Sequence, residues 1–273
     1  MGNISIIGSR STGKTTYLAG LVGSPKGSRR RKSYSVTPVG IDANNLCEEA
    51  DMIISAGMSL APTEFAQTKD RDYGLVIDLN QGFGKKERLQ LQVKDFAGEV
   101  FDELGKLQPL TSQHEDFIRD FCLMKDYEGC LLLVSEWGAG KDFYYKRIVQ
   151  EFIKRLDKYR PNKDFRVAVA MSKCERGELW AGRLEPEIDI FKTYLPQTTA
   201  ILRDEAKIPK ENVNFYAIST FGVLGRNDPR PNRTNMLGKN TQSVLREPPN
   251  WHPYNLIAPL YWLSTGKWMD ADA

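Results

Sequence analysis

The chain is poor in the residues that build metal centres and disulfide frameworks. Its 273 residues include four cysteines and two histidines. Cys47, Cys122, Cys130 and Cys174 form no C-x-x-C pair, which argues against a structural zinc site and suits reduced thiols. Long apolar runs are missing too. None approaches the roughly 20 residues needed to cross a bilayer, and the first residues lack the basic-then-apolar layout of a secretory leader. A soluble, cytoplasmic chain is expected. Charge of one sign is also lacking: 38 Lys and Arg stand against 35 Asp and Glu. No global field demands a nucleic-acid partner, and none is expected. What remains is 41% hydrophobic residues, enough for an ordinary core in one large domain.

One stretch organises the rest. Ile4-Ser-Ile-Ile-Gly-Ser-Arg-Ser-Thr-Gly-Lys-Thr-Thr16 reads as a buried strand, a glycine-bounded loop and the start of a helix. Gly8, Gly13, Lys14 and Thr15 fill G-x-x-x-x-G-K-[ST], the phosphate-binding P-loop or Walker A pattern. Glycine permits the backbone angles that turn consecutive N–H groups into one anion-sized hollow. The helix that follows adds its partially positive N-terminus. Gly8, Ser11, Thr12, Gly13, Lys14, Thr15 and Thr16 are therefore the candidate phosphate-binding residues. Lys14 would reach the β- and γ-phosphates, and the Thr15 hydroxyl would ligate Mg²⁺.

Along the chain, Thr15 to Val22 is predicted as a short helix stopped at Gly23. Lys26 to Lys32 carries five positive charges in seven residues and reads as a solvated loop or a basic contact patch. Tyr34 to Pro38 alternates like an extended segment, and Asp42 is placed to cap a helix over about Ala43 to Ser55. Strands are predicted at Gly74 to Leu79 and Arg88 to Lys94, with Gln81-Gly-Phe-Gly-Lys85 turning them into an antiparallel pair. Thr111 to Lys125 reads as a helix and Cys130 to Val134 as a buried strand. After Gly140, Tyr145, Ile148, Val149, Phe152 and Leu156 form the stripe of a core-facing helix. Val167 to Met171 and Val213 to Ile218 are further strands. A charged helical segment runs from Glu185 to Lys207, interrupted at Pro196.

The domain reading is a nucleotide domain over 1–224 with an insert at about 24–60, a basic Pro-rich loop over 225–250, and a C-terminal apolar helix over 251–273 packed on the same domain. The 225–250 stretch has four prolines and little apolar periodicity, so it reads as a long or disordered loop. His252 to Lys267 has helical spacing with a kink expected at Pro259. Alternating strands and helices imply an α/β fold: a three-layer, mostly parallel sheet with one antiparallel pair and helices on both faces. Ligands bind such sheets at the carboxyl ends of the strands, where Gly8, Asp95 and Ser172 each open a candidate stretch.

Asp95-Phe-Ala-Gly98 ends an alternating strand. A carboxylate there suits a Mg²⁺ shell opposite Thr15, and Gly98, lacking a side chain, lets its N–H approach a γ-phosphate. With these motifs in this order, the chain resembles the translation-factor-related branch of P-loop GTPases, the Ras-like and Arf-like class, over about residues 3–220. More narrowly it looks like the bacterial double-GTPase group, in which an extra helical segment precedes the switch and an apolar helix ends the domain. The resemblance implies GTP and GDP with Mg²⁺ as ligands. It makes Thr63 of Ala61-Pro-Thr-Glu64 the switch threonine on Mg²⁺, with Thr37 as second choice and an ordinary turn as the plain alternative. It also makes Ser172-Lys-Cys-Glu175 the base-reading motif: Lys173 would lie along the purine, and Glu175 would accept from two guanine N–H groups. Ser172 replaces the usual Asn or Thr, and Glu175 is one methylene longer than Asp, so a surface turn and ATP binding stay open. Ser219 and Thr220 resemble the final loop that touches the base edge.

Glu99 stands where small GTPases place glutamine. It would orient the attacking water or, equally, form a surface ion pair. Arg10 lies inside the P-loop, where a built-in arginine finger, an obstruction to a partner's finger, or a solvent-facing residue are the choices. Lys14, Glu99, Thr63 and Arg10 are thus the candidate catalytic residues, and Thr15, Asp95 and Thr63 the candidate metal ligands. The expectation is a slow hydrolase acting as a molecular switch on a protein effector, with a homo-oligomer left open. A non-hydrolysing nucleotide-binding scaffold and a P-loop ATPase are the alternatives.

Overall fold

The computed structural model describes residues 2–24, 34–58, 72–80, 86–95, 98–106, 108–161, 164–205, 208–236 and 239–269. The basic run at 26–32, the turn at 81–85 and Thr63 lie outside them.

Seven strands form the central sheet: β1 Gly2–Ile7, β2 Tyr34–Val39, β3 Asp72–Asn80, β4 Lys86–Asp95, β5 Tyr127–Val134, β6 Arg166–Met171 and β7 Val213–Ala217, in the order β2-β3-β4-β1-β5-β6-β7. β1 pairs in parallel with β4 and β5, as do β5 with β6 and β6 with β7. β3 runs against the rest, antiparallel to β4 and also to β2. The expected antiparallel pair is present, widened by an edge strand whose Pro38 is tolerated because an edge leaves some N–H groups unpaired.

Strand alternation divides the core between the two faces. Ile4, Ile6, Leu131, Leu133, Ala168 and Ala170 pack on one side with the helices α1 (Lys14–Val22) and α2 (Ile41–Ser55). Ile7, Leu132, Val134, Val167, Val169 and Met171 face the other. That side is covered by α3 (Gly98–Leu104), α4 (Ser112–Cys122) and α5 (Ala139–Tyr159). The α5 stripe is buried as its spacing requires, with Tyr145, Ile148, Val149, Phe152 and Leu156 all inside. Thr111 caps α4 by accepting from the His114 N–H.

Several local expectations change. Asp42 does not cap α2; Gly40 holds that position without a side-chain bond, and the Asp42 carboxylate accepts from the Asp72 N–H at 3.0 Å. The short helix α3 is an addition to the expected elements; it starts on the glycine of the D-x-x-G string and spans only two turns. The charged helical segment is a broken series, a π-helix at Pro186–Lys192, α6 at Pro196–Ala200 and a second π-helix at Ile201–Glu205, and a 3₁₀ turn at Gly177–Leu184 precedes it. Pro196 starts α6 because a first-turn residue needs no N–H partner. The buried Asp142 carboxylate of α5 takes the Gln197 and Thr198 N–H groups at 2.9 Å each.

The Pro-rich stretch is ordered as two antiparallel ribbons, β8 Val223–Gly225 with β9 Asp228–Pro231 and β10 Arg233–Met236 with β11 Lys239–Leu245. Strand pairing there comes from backbone groups, so apolar periodicity was a poor guide. Pro259 begins the terminal helix α7 (Ala258–Thr265) instead of kinking it. Leu256, Ile257, Leu260 and Leu263 are buried on the α1 face of the sheet.

Candidate functional site

The loop after β1 is turned by two left-handed residues, Ser11 (φ 63°) and Gly13 (φ 91°). Serine at such an angle is strained by roughly 1 kcal/mol, so the surrounding bonds must hold it. The Thr12 hydroxyl donates to the Ser9 carbonyl at 2.9 Å, and Lys14 Nζ donates to the Gly8 and Ser9 carbonyls at 2.7 and 3.1 Å. Burial pushes the Lys14 ammonium below its usual range, while Asp95 and then Asp102 pull it back up. A buried ammonium inside a curl of backbone is a site prepared for an anion.

Thr15 lies in the first turn of α1, and its hydroxyl is 3.3 Å from Asp95 Oδ2 at the end of β4. Asp95 is 1% exposed. Hydroxyl and carboxylate together are a hard, oxygen-only donor pair, the chemistry that Mg²⁺ accepts when phosphate completes its shell. Among the described residues no cluster of three His, Cys, Asp or Glu suggests a different metal. Gly98 presses on the same loop: a Cβ there would lie 2.7 Å from the Arg10 nitrogen and 3.0 Å from the Ser9 carbonyl carbon. Arg10 pairs with Glu99 at 2.5 Å, an exposed bridge between the loop and α3.

The third strand end closes the group. Ser172 Oγ lies 2.7 Å from the Thr12 carbonyl oxygen and 3.1 Å from that of Val134. Lys173, itself left-handed (φ 58°), extends Nζ to the Ser11 carbonyl at 2.6 Å. Burial, with Arg233 and Arg176 nearby, brings the Lys173 ammonium down to about 8. The Cys174 N–H donates to the Ile218 carbonyl at 3.1 Å, tying this loop to the end of β7. Cys174 and Glu175 are both buried, so the stretch is no surface turn.

Ser219 is wholly buried; its hydroxyl accepts from the Gly222 N–H at 2.8 Å, and its backbone pairs both ways with Tyr254. Thr220 lays its methyl against Gly20 of α1, and its carbonyl accepts from the Trp251 indole at 2.9 Å. Thr16 sits in the first turn of α1. Gly8, Ser11, Thr12, Gly13, Lys14, Thr15, Asp95, Gly98, Ser172 and Lys173 are thus gathered at the carboxyl ends of the interior strands β1, β4 and β6. Thr37 is not brought there; it lies within edge strand β2, paired with Val76 and separated from β1 by β3 and β4.

Two features had little or no sequence signal. Ser9 Oγ meets the Tyr144 hydroxyl at 3.0 Å, and Tyr144 donates to Asp102 Oδ1 at 2.5 Å, linking the loop, α5 and α3. Tyr144 stands just off the apolar stripe of α5, which was the one available hint. The other is Arg233 of β10, whose Nη1 lies 3.3 Å from Glu175 Oε1. Nothing in a proline-rich run pointed to it.

The sheet order, the antiparallel β3 and the loop at the β1–α1 junction define a P-loop G-domain architecture. No family model matches the chain, and no curated protein matches it in sequence. Among solved structures it is similar to a dimerization-deficient mutant of Toc33 from Arabidopsis thaliana, with a TM-score of 0.45 and 11% identity over 97% of this chain and 85% of that one.

Proposed function

We propose that this chain is a guanine-nucleotide switch: it binds GTP with Mg²⁺, hydrolyses it slowly to GDP, and signals the difference to a protein partner. The observation that carries the reading is the mutual bonding of three strand-end loops, through Thr15 with Asp95, Ser172 with Thr12, and Lys173 with Ser11. A ligand seated at one loop would be sensed by the other two.

In this reading the N–H groups of Gly8, Ser11, Thr12, Gly13 and Thr16 and the Lys14 ammonium hold the phosphates. Thr15 and Asp95 hold Mg²⁺, with Thr63 as the proposed switch ligand. When bound, Mg²⁺ would neutralise charge developing on the phosphate oxygens. Gly98 offers its N–H to the terminal phosphate. Lys173 flanks the base and Glu175 reads it, while Ser172 braces the loops and Ser219 and Thr220 contribute through the backbone. Glu99 is held by Arg10, which favours slow turnover and gives the non-hydrolysing scaffold its support. The extra helix α2 and the buried α7 support the bacterial double-GTPase group as the nearer relative.

Titration with GTP, GDP, ATP and ADP in Mg²⁺, on wild type and Glu175→Ala, tests the reading. Guanine preference that disappears in the variant supports it. Equal binding of ATP and GTP, untouched by the substitution, overturns it in favour of an ATPase.

A further inference from the structure

Ser9, in the loop after β1, is bonded through both of its oxygens. Its carbonyl accepts from the Thr12 hydroxyl at 2.9 Å and from Lys14 Nζ at 3.1 Å. Its own hydroxyl meets the Tyr144 hydroxyl of α5 at 3.0 Å. A phenol carries one proton, and that of Tyr144 goes to Asp102 Oδ1 of α3 at 2.5 Å. Ser9 must therefore donate to the phenol oxygen. The result is a directed chain from serine through tyrosine to carboxylate, crossing from the loop to α3 by way of α5. Burial and the bond to Asp102 push the phenol above its usual range, so it keeps its proton and the chain keeps its direction.

The ring that bears this hydroxyl is seated. Gly105, just after α3, comes down on it: a Cβ there would lie 3.1 Å from Tyr144 Cε2 and 3.1 Å from Ile148 Cγ1. Val100, Phe101 and Leu104 of α3 share an apolar cluster with Tyr145 and Ile148 of α5, and Tyr144 packs against it. With 21 residues against seven, α5 is the fixed member and α3 the light one. The chain also reaches the lysine electrostatically, since Asp102 helps to draw the Lys14 ammonium up. An arriving phosphate competes with the Gly8 and Ser9 carbonyls for that ammonium, so the bonding of Ser9 changes when the loop fills.

We propose that Tyr144 is a positioning residue of the switch: its hydroxyl ties Ser9 to Asp102 and so fixes where Gly98 and Glu99, one turn earlier on α3, stand against the terminal phosphate. Resting on the guanine-nucleotide reading, this adds a residue outside the nucleotide motifs to the device that tells GTP from GDP. Tyr144 acts through α3 and touches no nucleotide. Its bonds hold the start of α3 down on the loop when a triphosphate is bound. A diphosphate offers Gly98 nothing and gains nothing from them.

Equilibrium titration of the full chain with GTP, GDP and ATP in Mg²⁺ decides this, on wild type, Tyr144→Phe, Asp102→Ala, Asp102→Asn and the double variant Tyr144→Phe/Asp102→Ala. Tyr144→Phe keeps the ring and its packing and removes both bonds. Its GTP-over-GDP affinity ratio is expected to fall about tenfold, the worth of one charge-assisted hydrogen bond, with GDP affinity within about twofold of wild type. Asp102→Ala should do the same, and the double variant no more than either alone, because the groups act as one chain. Asp102→Asn keeps an acceptor oxygen and should hold the ratio within about threefold of wild type. A tyrosine that only fills space would lower both affinities together or neither. Either result, or additive losses in the double variant, overturns the positioning role and leaves guanine recognition standing. Should Tyr144→Phe fail to fold, the contrast between Asp102→Ala and Asp102→Asn still decides. ATP bound as well as GTP by wild type overturns the guanine reading and this inference with it.

Discussion

Ser172 Oγ lies 2.7 Å from the carbonyl oxygen of Thr12, a bridge across 160 positions that fastens the loop after β6 to the loop after β1. Removing it by Ser172→Ala takes the hydroxyl donor from the Thr12 carbonyl in a buried place, while the Val134 carbonyl keeps the Ser172 N–H at 2.7 Å. A loss of about 1–3 kcal/mol in denaturant unfolding is expected. Affinity for GTP and GDP should fall by the same factor, since the hydroxyl braces the loops and touches no phosphate. A loss confined to one nucleotide would mean direct contact.

The Arg10–Glu99 pair is exposed, with side chains 70% and 31% accessible. Arg10→Ala should therefore change stability by no more than about 0.5 kcal/mol. It should speed single-turnover GTP hydrolysis, because the Arg10 guanidinium no longer draws the Glu99 carboxylate from the water that it would orient. Slower hydrolysis instead would restore Arg10 to the role of a built-in finger.

Gly98→Ala forces a methyl to within 2.7 Å of the Arg10 nitrogen, where backbone rather than a flexible side chain must yield. The start of α3 is expected to lift off the P-loop. GTP affinity is then expected to fall about tenfold or more while GDP affinity stays nearly level, since in the proposed reading Gly98 meets only the terminal phosphate. Equal losses for both nucleotides would place Gly98 elsewhere.

Lys173 titrates near 8 in the fold against 10.5 for an unconstrained lysine. Between those values the unfolded chain holds more protons than the folded one, so this group's contribution makes stability rise with pH across that window. Pulsed acylation read by mass spectrometry should show Lys173 reactivity with a midpoint near pH 8, and Arg233→Ala should move that midpoint upward because one repelling charge is gone. A midpoint near 10.5 in wild type would show that the amine is solvated.

Leu260→Ala tests whether the terminal helix belongs to the core. The side chain is wholly buried on the sheet, so a loss of about 2–5 kcal/mol is expected. A near-neutral result would make α7 a detachable docking element.

Much of this architecture was legible in the sequence because its signals are local. Alternation at 88–94 and the continuous apolar run at 130–134 marked strands; the 3.6-residue stripe from Tyr145 to Leu156 marked the longest helix. Expectations failed where backbone pairing or a neighbour from far along the chain set the structure. The ribbons at 223–245 are held by backbone hydrogen bonds that leave no side-chain period, and Asp42 found an N–H thirty residues away in place of its own helix end.

Local stretches of the chain set the chemistry at each strand end: glycines and Lys14 after β1, Asp95 and Gly98 after β4, Ser172 to Glu175 after β6. Those assignments need only a strand, a turn and the residue types that follow. Tertiary structure alone decided which of them meet, and it placed Arg233 on a glutamate 58 positions away. It also joined Ser9, Tyr144 and Asp102 across three elements. Such contacts depend on where the chain returns after folding, which is the sum of many weak packing terms that no local stretch of sequence contains.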